Sequence, residues 1–506
     1  MSKTITSKRI LTALLLLSAN AIVLWGISSV YNYLNSGADR KSMLHSERII
    51  ENKHSHIISS FVTSENEKYK DKETLKNIKK GYLGAWFSRD LAYKTNLKDG
   101  IDDCFTKKAQ KNIFDLIDLN TTQKIHFENT SLYHQLKVDF LNKKKGLAVL
   151  TDANVQEYKR IYKDDKWVFD SYETNTYKSI LLLHENQWKI HQLIKEKTHK
   201  ETVYQNAKLK FDTIKGINYY PKNAPWDTFG KRFEIRPIVK DFKLLKSSGL
   251  NTIRIFLQYE DFGKETVRKD KIERLAQLLD AANHESIFVI VTLFDFYGNY
   301  AVSDWTYTQQ HVQAIANHFK DHPAILAWDL KNEPDLDFES RGKKEVLSWL
   351  NFTRKTLKKI DTLHPITIGW AKSKNATLLH EKIDFITFHY YESLNDLGKE
   401  YQRIKRKTPN KTIVMGEFGV SSYNGIWNLF ESSESKQALF HKNIQDIIAR
   451  NNIPFLSWTL YDFEKVPKKV VGWRPWRRNP QKKYGFIDTR GRPKQSFQYL
   501  NRPQNK

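Results

Sequence analysis

The C-terminal part of the chain, residues 204–506, is predicted to be an α/β domain folded as a (β/α)8 barrel. Short apolar runs typical of buried strands alternate there with amphipathic stretches typical of helices, and this alternation favours a parallel sheet. Eight such runs within about 290 residues match the size of a closed eight-stranded barrel. The predicted strands are Thr213–Asn218, Thr252–Leu257, Ile287–Leu293, Ile325–Leu330, Ile366–Trp370, Phe385–His389, Thr412–Met415 and Phe455–Leu460.

The stretches between these strands have the spacing of helices that pack one face on a sheet. In one of them, apolar residues recur at helical spacing from Val312 to Phe319, and the pattern stops before Pro323. A doubly wound open sheet is the competing topology. Such a sheet is expected to carry a glycine-rich phosphate loop, which we do not find, so the closed barrel is favoured.

A chain of 506 residues is too long for one ordinary domain, and residues 42–203 are predicted to form a smaller α+β domain. Its first half has apolar residues at helical spacing, whereas its second half alternates like a series of strands. The runs Tyr177–Leu183 and Trp188–Leu193 are split by a polar turn and indicate a closing hairpin. This hairpin resembles the end of an NTF2-like domain, in which a curved sheet wraps helices. A charged stretch from Ile194 to Gln205 is predicted to link the two domains.

Residues 1–41 are predicted to form a membrane anchor and its polar exit. The apolar stretch at residues 10–34 follows basic residues and is long enough to span a bilayer. Basic residues before such a segment favour a cytoplasmic N-terminus, with the rest of the chain on the extracytoplasmic side. Ala19-Asn20-Ala21 resembles a cleavage site, so a cleaved signal peptide is one alternative, and a buried core helix is another.

The chain has a formal net charge of +26 and a pI near 9.6, which favours anionic surfaces or polymers as partners. The basic residues are scattered among acidic ones, and we find no nucleic-acid-binding motif with them, so no nucleic-acid partner is predicted. Cys104 is the only cysteine, which excludes an intrachain disulfide and a thiolate metal cluster. Nothing in the sequence requires a metal or a cofactor.

Two glutamates end strands of the predicted barrel. Glu333 follows the fourth strand and precedes Pro334, and Glu417 follows the seventh strand. In a barrel of this type the carboxyl ends of the strands face one opening, where chemistry collects. Two carboxylates at that opening are what a double-displacement glycosidase needs, one as proton donor and one as nucleophile. The alternative is that each glutamate is an ordinary solvated residue at a strand end.

Strands two and four supply two further polar side chains. Arg254 lies inside an apolar strand and therefore needs a partner. Pairing with Glu417 would keep that carboxylate ionised, as a nucleophile requires, although a structural ion pair elsewhere in the barrel is the alternative. Asn332 stands next to Glu333, and its amide can hydrogen-bond the 2-hydroxyl group of a sugar.

Strands six and eight end in imidazole and aromatic side chains. His389 and Tyr391 share one face of strand six because side chains alternate along a strand. Tyr391 can donate a hydrogen bond to the nucleophile, and His389 can bond substrate hydroxyl groups or the acid. Trp458 can form an apolar floor for a pyranose ring, because the C–H face of a sugar stacks on indole. Core packing is the alternative for His389 and Trp458.

Several more residues, most of them aromatic, are candidates for the same cleft. The stretch Asn218-Tyr219-Tyr220-Pro221 at the end of strand one and the nearby Trp226 could line it, and Trp473 and Trp476 lie in the loop after strand eight. That loop alternates tryptophan with arginine and is rich in lysine, so it is suited to gripping an anionic glycan. Contact with acidic lipid and a solvated flap are the two other interpretations.

The order of these residues along the barrel resembles that in the clan A glycoside hydrolases, most closely glycoside hydrolase family 5, the cellulase family. The resemblance spans about residues 208–500 and rests on Arg254, Asn332-Glu333-Pro334, His389-x-Tyr391, Glu417 and Trp458. It implies retaining hydrolysis of β-linked sugars, with Glu333 as acid/base and Glu417 as nucleophile. One departure is that strand three runs into Asp295, where many members of the family have a histidine that contacts the sugar.

The predicted function is therefore that of a membrane-anchored retaining β-glycosidase, cellulase- or mannanase-like. Its predicted partner is a carbohydrate polymer or oligosaccharide, neutral or anionic. Two alternatives stay open: a transglycosylase that uses the same residues, and a non-catalytic glycan-binding or assembly component of a membrane polysaccharide system. The intact carboxylate pair favours an enzyme, because a pure binder need not keep it. The sugar, the linkage and the choice between endo and exo action stay open at this point.

Overall fold

The computed structural model of the 506-residue chain describes residues 71–199, 211–424, 433–472 and 474–501, together with residues 59–61 and the single residues Val23 and Gly26. The described ranges hold a helix-and-sheet region before residue 200 and a barrel after residue 210. No helix within these ranges is long and apolar enough to cross a membrane. The predicted anchor at residues 10–34 falls outside them, apart from Val23 and Gly26.

The first region joins helices to a five-stranded sheet of order β1-β2-β3-β4-β5. Strands β2 to β5 pair antiparallel, whereas β1 pairs parallel with β2. The region therefore has helices followed by a meander, and its resemblance to NTF2-like domains stays a prediction. The elements are β1 (Ser59–Phe61), α1 (Lys72–Thr95), α2 (Ile101–Cys104), α3 (Lys107–Thr122), β2 (Ile125–Asn142), β3 (Leu147–Lys163), β4 (Lys166–His184) and β5 (Gln187–His199).

The predicted closing hairpin is present as β4 and β5, but both strands are longer than predicted. Strand β5 continues to His199, so the predicted linker from Ile194 onward begins inside the sheet. The ladder explains the difference, because β4 is long enough for Thr174 to pair with His199. Main-chain pairing of this kind tolerates the charged side chains that suggested a linker, since an antiparallel sheet can leave one face in water.

Eight parallel strands close into a barrel in the order β6 to β13, and β13 pairs with β6 to complete the ring. The (β/α)8 prediction is confirmed, and each strand overlaps its predicted run. The strands are β6 (Lys215–Asn218), β7 (Thr252–Gln258), β8 (Phe288–Asp295), β9 (Ile325–Asn332), β10 (Ile366–Trp370), β11 (Ile386–His389), β12 (Ile413–Glu417) and β13 (Phe455–Ser457). The helices are α4 (Ile235–Ser247), α5 (Lys269–His284), α6 (Trp305–Phe319), α7 (Phe338–Arg341), α8 (Lys343–Ile360), α9 (Leu394–Lys407), α10 (Glu434–Asn451), α11 (Lys468–Val471) and α12 (Pro475–Gln481).

Side-chain alternation separates an outer core from the barrel interior. On β7, Ile253 and Ile255 belong to the core under the helices, whereas Arg254 faces inward. The amino-terminal end of the interior is closed by an apolar cluster in which Phe211 stacks on Phe385, with ring centroids 4.3 Å apart. Polar side chains occupy the opposite, carboxyl-terminal end of the interior. The candidate site residues therefore lie above the apolar cluster that fills the amino-terminal end.

The helix-and-sheet region packs directly on the barrel. Tyr158 of β3 lies against Trp305 of α6, with ring centroids 4.1 Å apart, and Trp305 stacks on Phe352 of α8 at 4.6 Å. The buried Arg160 guanidinium lies 5.6 Å from the Trp305 ring. Tyr158 thus belongs to the barrel core rather than to a separate surface. Burial of aromatic rings of this size makes a large contribution to the stability of such a contact.

A buried histidine in this core should make the stability depend on pH. Burial lowers the pKa of His441 on α10 to about 3, with a smaller effect from the charge of Lys494. Unfolded histidine titrates near 6.5, so the unfolded chain binds the proton first and stability falls as the pH drops from about 6.5 towards 3. We expect His441→Leu to remove this contribution, a slope of about 1.4 kcal/mol per pH unit, in urea unfolding measured between pH 6 and pH 4.

The control for this prediction is His318→Leu, which changes an exposed histidine on α6 and should leave the slope unaltered. Neither ring nitrogen of His441 has a hydrogen-bond partner among the described residues, so leucine leaves no new unsatisfied group there. A slope in His441→Leu equal to that of the parent would show that His441 titrates normally in the folded protein.

Candidate active site

Glu333 and Glu417 meet at the carboxyl-terminal opening of the barrel. Glu333 directly follows β9, and Glu417 is the last residue of β12. One carboxylate oxygen of each, and one ring nitrogen of His389, lie within 4.8 Å of one another. Both glutamates are buried, with 7% and 3% of their surface exposed. The structure therefore brings together two carboxylates that are far apart along the chain.

The backbone at Glu333 aims its side chain into the opening. Glu333 has a left-handed conformation with φ 52° and ψ 50°, which is uncommon for a residue with a Cβ. Its N–H group donates to the carbonyl of Gly369 at 2.7 Å, and Pro334 begins a 3-10 turn immediately after it. A conformation of this kind costs about 1–3 kcal/mol and persists only where the surroundings hold it. His389 Nδ1 lies 2.9 Å from Glu333 Oε1, so the side chain is held as well.

Glu417 is surrounded by groups that stabilise a negative charge. The Tyr391 hydroxyl donates to Glu417 Oε1 at 2.7 Å. Arg254 Nη1 lies 3.6 Å from Glu417 Oε2, and His389 Nδ1 lies 3.7 Å from the same oxygen. Burial, together with the negative charge of Glu417, raises the pKa of Tyr484 to about 12. The two glutamates thus have different surroundings, which suits two different roles.

Arg254 is held mainly by Asp329, an acid that was not predicted to belong to the site. Its Nε and Nη2 atoms donate to Asp329 Oδ2 at 3.0 and 2.6 Å, so Glu417 is the more distant of its two carboxylate partners. Asp329 also accepts from Thr292 Oγ1 at 2.8 Å and from the N–H group of Gly369 at 2.9 Å. An acidic residue inside the apolar run of β9 was the available signal, because a buried carboxylate needs a cation.

Asn332 is oriented by two partners. Its Oδ1 accepts from Arg254 Nη2 at 3.0 Å, and its Nδ2 donates to Asp295 Oδ1 at 3.3 Å. The Tyr220 hydroxyl donates to Asp295 Oδ2 at 3.4 Å. Asp295 was not predicted as a site residue, although it stands at the strand end where the family resemblance leads one to expect a histidine. Tyr220, in contrast, belongs to the stretch after strand one that was predicted to line the cleft. The side of the opening next to β8 is therefore acidic.

Trp458 and Trp226 lie in one aromatic cluster at the opening, which we call the aromatic floor. Their ring centroids are 5.8 Å apart, and Tyr220 lies 5.4 Å from Trp226 and 6.0 Å from Trp458. Phe256 of β7 completes the group at 5.2 Å from Tyr220. Trp458 is 3% exposed, so most of its ring is packed on these neighbours. The structure therefore brings Trp226 and Trp458 together, as their common assignment to the cleft requires.

Tyr219 does not line the cleft, which corrects the sequence prediction. It is fully buried, its ring lies 5.5 Å from that of Phe242 on α4, and its hydroxyl donates to Asp241 at 2.7 Å. Alternation along the chain after β6 explains this, because Tyr219 faces the helices and its neighbour Tyr220 faces the opening.

Of the two tryptophans predicted in the loop after strand eight, Trp473 falls outside the described residues. Trp476 lies on α12, with the Arg474 guanidinium 5.8 Å from its ring.

Residues 215–464 match the family model for Cellulase, glycosyl hydrolase family 5. The barrel is a clan A, family 5-like glycoside hydrolase barrel. The matched span begins at the first residue of β6, extends past β13 and contains both glutamates. The resemblance drawn from the order of the strand-end residues is thereby confirmed.

Individual relatives are distant. Mannan endo-1,4-beta-mannosidase A of Emericella nidulans is 25% identical over 262 residues, which is 40% of this chain and 67% of that protein. Beta-glucuronidase of Chlorocebus aethiops is 25% identical over 284 residues, covering 51% of this chain and 40% of that protein. Among solved structures, exo-beta-1,4-mannosidase Op5Man5 from Opitutaceae bacterium strain TAV5 has 18% identity and a TM-score of 0.47, with 56% of this chain and 57% of that chain covered. The chain thus spans less than half the length of the β-glucuronidase.

The donor atoms at the opening of this family 5-like barrel are also close enough together to be considered as metal ligands. Arg254 Nη1 lies 3.6 Å from Glu417, so a metal cation there would meet an existing positive charge. His389 Nδ1 is within hydrogen-bond distance of Glu333. The arrangement fits an acid and a nucleophile better than it fits an ion-binding site.

Gly369 of β10 is the position where a single methyl group should disturb the site most. A Cβ placed there would lie 2.6 Å from Arg254 Nη2 and 3.2 Å from Asp329 Oδ2. We expect Gly369→Ala to displace the guanidinium and lower kcat/KM on an aryl β-glycoside by about hundredfold, the cost of a misplacement near 1 Å. Gly398→Ala on α9 is the matched control, because its Cβ meets only Asn451 Nδ2, at 4.0 Å. Parent-like kcat/KM in Gly369→Ala would show that Arg254 need not keep this place.

Proposed function

We propose that the chain is a retaining glycoside hydrolase that cleaves β-linked O-glycosidic bonds in a polysaccharide or oligosaccharide. The observation that carries this proposal is the short gap between the two carboxylates, an oxygen of Glu333 lying within 4.8 Å of one of Glu417. Retaining glycosidases hold their carboxyl groups about 5–5.5 Å apart, whereas inverting enzymes leave about 6.5–9.5 Å for a water molecule. The spacing here favours the retaining geometry.

In the first step, a Glu417 oxygen attacks the anomeric carbon while Glu333 gives its proton to the leaving oxygen. The C–O bond to the leaving group breaks, and a covalent ester forms between the sugar and Glu417. Tyr391 and Arg254 support this role, because both stabilise the carboxylate form of Glu417 before attack.

In the second step, Glu333 takes a proton from water, and the resulting hydroxide displaces Glu417 from the anomeric carbon. The sugar leaves with its original configuration, and Glu333 is protonated again. The contact of 2.9 Å between His389 Nδ1 and Glu333 Oε1 suits this cycle. A ring nitrogen can donate to a carboxylate and accept from a carboxylic acid, so His389 can hold both forms of Glu333 in place.

Substrate binding falls to Asn332 and the aromatic floor. Asn332 has its oxygen bound to Arg254, which leaves its N–H groups to face Asp295 and the 2-hydroxyl of a sugar. A hydrogen bond to that hydroxyl strengthens in the transition state of glycoside hydrolysis. Trp458, packed on the other rings of the floor, supplies the apolar side of the sugar subsite.

The location of the enzyme is also a proposal. The apolar run at residues 10–34, preceded by basic residues, supports a single N-terminal anchor that leaves the barrel on the extracytoplasmic side. Extraction of membranes with alkaline carbonate should leave the full-length protein in the pellet, whereas a soluble product shortened at its N-terminus would indicate a cleaved signal. Added protease should digest the barrel in spheroplasts with intact membranes.

The configuration of the first product tests the mechanism. The substrate panel follows the names of the relatives and contains β-mannans, β-glucuronides and β-glucans. The full-length protein is incubated with each substrate, and proton NMR records the anomer of the product before mutarotation. A β-anomer formed first is expected. An α-anomer formed first would assign an inverting mechanism. Transfer of the sugar to an added acceptor, in place of water, would make the protein a transglycosylase that uses the same intermediate.

A further inference from the structure

The segment after β13 is packed on the aromatic floor. Val466, Val470 and Val471 are buried in the same cluster as Trp226 and Trp458. Buried valines of this kind tie this part of the segment to the barrel beside the floor. This packing argues against the interpretation of the segment as a solvated flap.

Residues 464–483 carry eight lysine or arginine side chains and a single acidic one, Glu464. Lys483 lies 3.3 Å from the buried Asp462, but Lys494 already lies 3.0 Å from that carboxylate. Arg478 and Lys482 have no ion pair with an acid among the described residues, and Arg478 Nε is buried there without a hydrogen-bond partner. The segment therefore presents cationic groups that its own described surroundings do not neutralise.

The cations also lie close to one another. Burial lowers the pKa of Lys482, and the nearby charges of Arg478 and Lys483 lower it further. Like charges held together and a buried N–H group without an acceptor both destabilise the folded protein. An anion placed among Arg478, Lys482 and Lys483 would relieve both effects at once.

The backbone that carries this cluster borders the catalytic opening. The Lys482 carbonyl accepts from the N–H group of Phe463 at 2.9 Å, and the Phe463 ring lies 5.1 Å from that of Trp226 in the aromatic floor. The next residue after Lys483 is Tyr484, whose ring lies 6.4 Å from that of Tyr391. The backbone that carries the cations thus adjoins both the floor and the residue that hydrogen-bonds Glu417.

We propose that Arg478 and Lys482, together with Lys483, form a subsite for the carboxylate of an acidic sugar, so that the substrate is a uronic-acid-containing glycan. The proposal rests on the proposed glycosidase function and specifies its substrate class. A planar guanidinium pairs with a carboxylate through parallel hydrogen bonds, and the lysines add positive charge around it.

Binding to matched oligosaccharides tests this subsite without turnover. The probes are hexamers of β-1,4-linked glucose and of β-1,4-linked mannose, each compared with its counterpart oxidised at C6 to the uronic acid. The protein is the full-length Glu417→Gln variant, and affinity is measured by titration calorimetry. We expect the oxidised member of at least one pair to bind roughly tenfold tighter, and this preference to shrink in about 0.5 M NaCl.

Substitutions then locate the preference. Arg478→Gln with Lys482→Gln should bring the ratio of the two affinities close to one, whereas the charge-conserving exchange Arg478→Lys with Lys482→Arg should keep most of the preference. Lys107→Gln with Lys108→Gln removes two exposed charges from α3, far along the chain from the opening, and should leave the ratio unchanged. A drop in the affinity ratio of this control variant would assign the preference to net charge alone and overturn the proposal.

Other outcomes would also overturn the subsite. Equal affinity for oxidised and neutral members of both pairs would do so, even if the parent hydrolyses neutral glycans and the glycosidase function stands. Salt-sensitive binding to phosphatidylserine vesicles that disappears in the double glutamine variant, with an unchanged oligosaccharide ratio, would assign the cations to acidic lipid. Conversely, acidic preference in a parent that hydrolyses no glycan would support the subsite and contradict the proposed function.

Discussion

The Glu417→Gln variant is expected to lose turnover by on the order of 10⁴-fold on a β-glycoside that the parent hydrolyses. Glutamine keeps the size of the side chain and its hydrogen bond from Tyr391, but an amide is a far weaker nucleophile than a carboxylate. Arg254 keeps Asp329 as its partner in the variant, so the site should stay assembled. The measurement is kcat with an aryl β-glycoside at saturating concentration.

Two controls make the Glu417 result interpretable. Glu381→Gln changes an exposed glutamate and should leave kcat unchanged. The thermal unfolding midpoint of Glu417→Gln should stay close to that of the parent, which separates loss of chemistry from loss of fold. Hydrolysis by Glu417→Gln at the parent rate would mean that another group attacks the sugar.

The Glu333→Gln variant is expected to discriminate between leaving groups. A general acid contributes about 10²–10⁴-fold when the leaving oxygen must be protonated. Natural glycosides and phenyl glycosides have basic leaving oxygens and should lose a factor of this size in kcat/KM. A dinitrophenyl glycoside leaves without protonation, so its kcat/KM should fall much less, and the glycosyl-enzyme should accumulate because its breakdown still needs the base.

The control for Glu333 is the comparison of a phenyl glycoside with a dinitrophenyl glycoside, because both substrates are measured on the same variant. A pre-steady-state burst of dinitrophenol would show directly that the first step outruns the second. Equal losses of kcat/KM for the two substrates would remove Glu333 from the role of proton donor. Glutamine has to adopt the same left-handed backbone conformation at this position as glutamate. The substitution therefore does not relieve backbone strain, and the change in kcat/KM reports the loss of the acid alone.

Much of the barrel was predictable because each strand is a short apolar run and a parallel strand is buried on both faces. The site followed from one further rule, that strand ends collect at one opening, which placed Glu333 and Glu417 together without any contact information. Asp329 was missed for a physical reason. The rule examines strand ends, whereas Asp329 lies below the rim and acts by holding Arg254.

Other misses concern which way a side chain faces. Tyr219 and Tyr220 are adjacent and chemically alike, and both stood in the stretch predicted to line the cleft. Alternation continued from the inward-facing Asn218 leaves only Tyr220 facing the opening. Asp295 was noticed only as the absence of an expected histidine, although a carboxylate at that strand end can itself bind Asn332. The end of β5 was missed because strand pairing with β4 outweighs the charged composition of Ile194–His199.

The contact of Tyr158 with Trp305 has a practical consequence for producing the protein. A recombinant barrel that starts at residue 204 would lose the cover over Trp305 and present an aromatic patch to solvent. Patches of this kind promote self-association, so the shortened protein should precipitate or form soluble oligomers. A well-behaved fragment that contains the barrel must retain the helix-and-sheet region, which covers Trp305 and keeps the barrel soluble.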